Sequence, residues 1–206
     1  MGFITLVFLS LVGIGGKLDK VTGIAWVAFF AMVFGGLFGV YVQVTRPKWL
    51  VWGYGLSSGA MVTSASVFLI PNAINHDPSL GGFGVAAGLL LGFAGHTVGH
   101  QLTHTKLPLD HTATELTAHG IATGTIIGVV YASLPELGPF LGVAIISHKA
   151  PAGYAVSGRL QRSSNNSPFE LLLPASAVGV TAIASALLVP PLSPGLKGVI
   201  FGFGAG

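Results

Sequence analysis

The chain has 206 residues, of which 51% are hydrophobic and only 7% are charged, and its mean hydropathy is +0.79. A soluble domain carries roughly 25% charged residues, so this composition excludes an ordinary soluble fold and points to an integral membrane protein. The absence of cysteine excludes disulfides, thiolate metal sites and cysteine nucleophiles, and a net charge of only +3 is loop charge that orients helices, with no nucleic-acid partner implied.

A spanning helix needs about 20 apolar residues. The first segment, Met1 to Gly16, is apolar but short and lacks the basic region of a signal peptide, so it is expected to be an extra N-terminal helix. Six spans follow, from Val21 to Val44, Leu50 to Ile74, Leu80 to Thr103, Ala113 to Leu134, Gly138 to Gly158 and Glu170 to Val189. The last segment, Leu196 to Gly206, starts like another helix and stops after a stretch too short to cross a bilayer, as though the final helices were incomplete. The expected fold is therefore all-α, a single polytopic membrane bundle over 1–206 with about seven or eight membrane segments, multi-pass in the plasma membrane. Its 31 glycines suit closely packed helices, because small residues let backbones approach where lipid supplies no hydrophobic drive.

Loop charge sets the topology. The linkers holding Arg46 and Lys48, then Lys106, then Arg159 and Arg162 alternate with poorer ones around Asp77, Glu136 and Pro190, which makes the basic set cytoplasmic. Trp49 and Trp52 form an interfacial anchor on that side, while Lys17 and Lys20 fall opposite.

Six of the seven histidines fall between His96 and His148. Imidazole holds transition metals, carries protons and ligates haem, so function is sought here. His96, His100 and His104 recur every fourth residue on the span from Leu80, and His111, Glu115 and His119 do so on the span from Ala113, each set sharing one helix face. A rise of 1.5 Å per residue sets His119 roughly 10 Å into the membrane and His148 near its midplane. Ionisable groups at that depth are costly and line a pathway or a site. Either histidine alone could simply hydrogen-bond a neighbouring helix; the pair argues for a site. His104, His111 and Glu115 lie near the water boundary, and His76 reads as a loop residue.

Backbone features mark the same place. Gly120, Gly124 and Gly128 form a stripe that lets another helix approach beside His119. Pro151 has no N–H and frees the Ser147 carbonyl next to His148. Lys149 is an expensive cation near the midplane unless it snorkels, pairs, or stands where a cation would otherwise sit.

At these residues the chain resembles the ZIP (zinc- and iron-regulated transporter-like) family of divalent-metal transporters. That family's fourth and fifth helices carry H-N-x-P-E-G or H-x-x-x-D-G, then H-x-x-P-E-G or H-K-x-P-x-A. Here His119-Gly120-Ile121-Ala122-Thr123-Gly124 stands at the first half and His148-Lys149-Ala150-Pro151-Ala152-Gly153 at the second, which is similar to the branch with lysine after the histidine. Gly59-Ala60-Met61 through Ile70-Pro71-Asn72-Ala73 is similar to the family's second helix, and Gly88-Leu89-Leu90-Leu91-Gly92 to its third; the resemblance covers residues 50–160. It implies eight family helices, with the fourth and fifth, at 113–134 and 138–158, housing the metal, and a His-rich cytoplasmic linker before the fourth. The departures are Thr123 and Ala152 at the acidic motif positions and Gly120 at the asparagine. By the resemblance, Lys149 takes the place of a second-metal ligand and leaves one site.

The implied cargo is zinc or another divalent transition metal (iron, manganese, copper or nickel), since neutral nitrogen ligands suit these better than magnesium or calcium. His119 and His148 are the expected metal ligands, with Thr123 and Lys149 tuning the site. His96, His100, His104, His111 and Glu115 are the expected cytoplasmic exit path. The protein is then a transporter working by alternating access, not an enzyme; its partners are the metal ion and the bilayer, with a homodimer one of the assemblies the sequence leaves open. The alternatives are a membrane b-type cytochrome with histidine-ligated haem, and a non-transporting metal-binding protein of the same fold.

Overall fold

The computed structural model describes residues 2–16, 18–41, 47–102, 111–133, 138–160, 169–189 and 192–206. Among these the chain is helical, with no strand: α1 (Gly2–Gly15), α2 (Asp19–Tyr41), α3 (Pro47–Ser64), a π-helical turn (Ala65–Leu69), α4 (Ile70–His76), α5 (Pro78–Leu102), α6 (His111–Ser133), α7 (Gly138–Leu160), α8 (Phe169–Leu188) and α9 (Pro194–Ala205). The two short apolar end segments thus carry helices, Gly2–Gly15 and Pro194–Ala205, as expected.

Three stretches are long and apolar enough to cross a membrane by length and composition, Asp19–Tyr41, Val51–His76 and Leu171–Leu188, and Gly2–Gly15 and Pro78–Ala94 are shorter apolar helices. Among the described residues the protein is all-helical, and these apolar helices suit a membrane protein. Of the six expected spans, those on α6 and α7 are long enough at 23 residues each, but polar residues dilute their hydropathy. Large apolar side chains on the outside, among them Phe8, Phe34, Phe38, Trp52, Leu90 and Phe93, suit a lipid-facing surface.

Local signals end the helices where the sequence changes character. Asp77 closes α4 in an extended conformation and accepts from the Leu80 N–H at 2.9 Å, capping α5, whose first residue is Pro78. Ser193 caps α9 in the same manner, with Pro194 next and the Leu196 N–H 3.4 Å from its hydroxyl. His76, expected in a loop, is instead the last residue of α4. Its Nδ1 lies 2.8 Å from the Asn72 carbonyl and its ring packs on Phe201, 5.4 Å between centroids, because α9 folds back over this corner.

The π turn has a cause in sequence. Pro71 cannot donate to the Val67 carbonyl, and its ring crowds that oxygen. The turn just before it widens, so that the Ile70 N–H reaches the Ala65 carbonyl five residues back, and the Asn72 amide donates to the Phe68 carbonyl at 2.7 Å.

Helix α8 packs against α6, α2 and α1; α7 packs against α2 and α3; α9 packs against α5 and α4. Close approach depends on glycine at two joints. A Cβ at Gly124 of α6 would overlap the Val178 carbonyl oxygen and Thr181 Oγ1 of α8, and one at Gly35 of α2 would overlap the Ala150 carbonyl oxygen of α7. The core between α1, α2, α6 and α8 is filled by Leu6, Val21, Phe29, Met32, Ile127, Val130, Val178 and Ile183.

Helix α1 is held to α2 by a polar contact within this apolar surface. Trp26 Nε1 donates to Ser10 Oγ at 3.0 Å, and that hydroxyl donates to the Leu6 carbonyl at 2.7 Å. Phe3 and Phe29 pack around the indole at 6.0 and 5.7 Å. Ser10→Ala leaves the indole N–H unsatisfied and should cost about 1–3 kcal/mol, read as a lower unfolding temperature in detergent.

Candidate functional site

His119 lies in the middle of α6, and the Gly120–Gly124–Gly128 stripe that follows it rests on α8 at Pro174, Val178 and Ala182. This fixes the face of α6 that turns away from α8. On α7, His148 and Lys149 sit one turn before Pro151, which the helix accommodates without interruption. The backbone of α7 is held there by α2, through the contact of Gly35 with Ala150 and of Gly153 with Met32.

These two supports bring the histidines ring to ring. The His119 and His148 centroids are 5.8 Å apart and the planes are inclined by 63°. Thr123, one turn beyond His119, donates its hydroxyl to the His119 carbonyl at 2.7 Å and lies 3.3 Å from His119 Nε2. In the tautomer that donates Nε2–H to that hydroxyl, Nδ1 carries the free lone pair.

His148 is only 3% exposed, and among the described residues neither of its ring nitrogens makes a well-formed hydrogen bond, the Ala144 backbone being the polar group that acts on the ring. Buried polar groups are almost always paired, and leaving one unpaired costs about 1–3 kcal/mol. An imidazole kept in that state is poised for a ligand. Two imidazoles on one zinc ion, with each nitrogen about 2.0–2.1 Å from it, place their centroids roughly 5–6 Å apart. The observed centroid separation falls in that range.

Both rings line a cavity of about 820 Å³, which His119 faces with its accessible surface. Its walls come from α3 and the π turn (Met61, Ser64, Ala65, Leu69), from α5 (Gly88, Leu91), from α6 (Glu115, His119, Thr123, Ile126), from His148 of α7 and from the end of α9. Glu115, expected near the water boundary, thus opens onto the same cavity as the pair. The π turn also contributes to this wall, a feature absent from the sequence reading; Pro71 in an otherwise continuous apolar span was its signal.

The other expected residues divide. Lys149 is 2% exposed and is not among the described residues that line the cavity. Ala152 is buried on α7 and offers no side-chain donor. His96 and His100 fall on α5 and His111 opens α6, but their side chains lie outside the described ones, as does the whole of His104. The loop cations Arg46, Lys106 and Arg162 lie outside the described residues too. Among the described residues, no three His, Asp or Glu side chains cluster closely enough to hold a metal by themselves. What the geometry offers is a two-nitrogen site with a neighbouring hydroxyl and with room in the cavity for water or a further ligand.

Comparisons with protein-family models, with curated proteins and with solved structures find no match to this chain.

Proposed function

We propose that the chain is a ZIP-like transporter that moves a divalent transition metal, zinc foremost, toward the cytoplasm by alternating access around α6 and α7. The observation that carries this reading is the His119–His148 pair: two imidazoles from different helices meet 5.8 Å apart, and one is buried with no well-formed hydrogen bond at either ring nitrogen among the described residues. The motif resemblance adds its support at these same residues. In this reading α5, α6 and α7 also cross the bilayer, so the protein is multi-pass, placed in the plasma membrane, and acts as a carrier and not as an enzyme.

His119 and His148 are the protein's ligands to the ion. Thr123 holds the His119 ring and backbone, and water completes the coordination. With no carboxylate at Thr123 or Ala152, the ion is held loosely, which suits a site that must release its cargo. Lys149 keeps a second ion out by its charge. His96, His100, His104 and His111 form transient stops toward the cytoplasm.

Zinc uptake into proteoliposomes of the purified protein tests this directly. Uptake that depends on His119 and His148 supports transport. Tight zinc binding without flux would replace transport by a non-transporting metal-binding role, and a Soret band in the purified protein would replace it by a haem protein.

A further inference from the structure

A divalent ion between two neutral imidazoles brings two positive charges into an apolar surrounding, and hydrogen-bond geometry alone does not compensate them. The nearest sequence neighbours of the pair do not supply the missing charge. Thr123, one turn beyond His119, is a neutral hydroxyl already given to the His119 carbonyl, and Ala152, one turn beyond His148, has no polar atom. Lys149, buried next to His148 in sequence, makes matters worse by adding a positive charge.

The cavity itself contains the answer. Glu115 stands one turn before His119 on α6, on the same face, and is the acidic side chain among the described residues that line the cavity shared by His119 and His148. We infer that Glu115 supplies the negative charge that makes this cavity a cation site. The carboxylate stands on the side of His119 opposite Thr123, displaced by two helical turns from where an acid at residue 123 would sit. Glu115 does not complete a three-ligand cluster with the pair. It acts through water in the cavity, lowering the cost of the dication. This rests on the reading of the histidine pair as a metal site.

The assignment separates charge from shape. Glu115→Gln keeps the side chain's size and removes its charge; Glu115→Asp keeps the charge; Glu115→Gln combined with Thr123→Asp returns a carboxylate on the other side of His119. The probe is cobalt(II), titrated into the purified full chain in detergent and followed by its visible absorption. Removing a partner of this kind weakens metal binding roughly 10- to 100-fold, and that is the loss expected for Glu115→Gln. Glu115→Asp and the Glu115→Gln/Thr123→Asp combination should both recover most of it.

Parent-like cobalt binding by Glu115→Gln overturns the role of Glu115 and leaves the histidine site standing. Equal loss in Glu115→Gln and Glu115→Asp, with no recovery by Thr123→Asp, also overturns it, because a merely structural residue behaves that way. No cobalt binding by the parent, or unchanged binding after His119→Ala plus His148→Ala, overturns the metal site and this inference together.

Discussion

Zinc uptake into proteoliposomes falls to the level of protein-free vesicles when His119→Ala and His148→Ala are combined. The expectation follows from what each ring contributes. His148 is buried with no well-formed hydrogen bond at either ring nitrogen among the described residues, and it lines the cavity, so a ligand there can satisfy it. His119 faces it at 5.8 Å, and its orientation is held by the Thr123 hydroxyl. Loss of either ring should weaken binding by more than the roughly 10- to 100-fold typical of losing an outer partner, since a ligand itself is removed. The two losses should not add, because one remaining imidazole no longer makes a chelating site. The folded state should tolerate the change: replacing His148 removes a buried polar group with no well-formed hydrogen bond among the described residues, which costs little apart from the void it leaves.

Gly124→Val should be among the most damaging single substitutions for the fold. Its Cβ would meet the Val178 carbonyl oxygen and Thr181 Oγ1, with the Val178 carbonyl carbon at 3.0 Å. A carbonyl of a packed helix cannot turn aside as a side-chain end can. Helix α6 must move off α8, at a cost at or above the upper end of the usual overpacking range, about 3 kcal/mol. That is a large part of a net stability on the order of 5–15 kcal/mol. The site suffers with it, because His119 lies on α6 little more than one turn away and its partner His148 is anchored to α2 instead. The measurement is the unfolding temperature in detergent together with cobalt affinity, both expected to drop. Ile121→Ala, on the exposed side of the same helix, should leave both near the parent values.

The sequence was most informative where chemistry interrupts an apolar background. The packing role of Gly124 and the helical character of both chain ends could be read from residue type and spacing. The faces of the helices could not. Lipid and protein interior are both apolar to a side chain, so residues such as Phe34, exposed, and Phe29, buried, look alike in the same helix. The π turn at Ala65–Leu69 was hidden because Pro71 announces a distortion without saying which kind. Glu115 is exposed, in keeping with a place near the water boundary, and it also lines the cavity of the pair, which depth along a helix could not reveal. His76 was taken for a loop residue because it adjoins Asp77-Pro78; its packing on Phe201 comes from α9, a contact between segments far apart in the chain.

Zinc-edge X-ray absorption spectroscopy on the purified protein, loaded with one equivalent of zinc, measures the site itself. Two imidazole nitrogens at about 2.0–2.1 Å, lost in the His119→Ala/His148→Ala protein, are the expected result. A zinc shell made only of oxygen, or imidazole scattering that survives in the double variant, would contradict the assignment of His119 and His148 as the metal site.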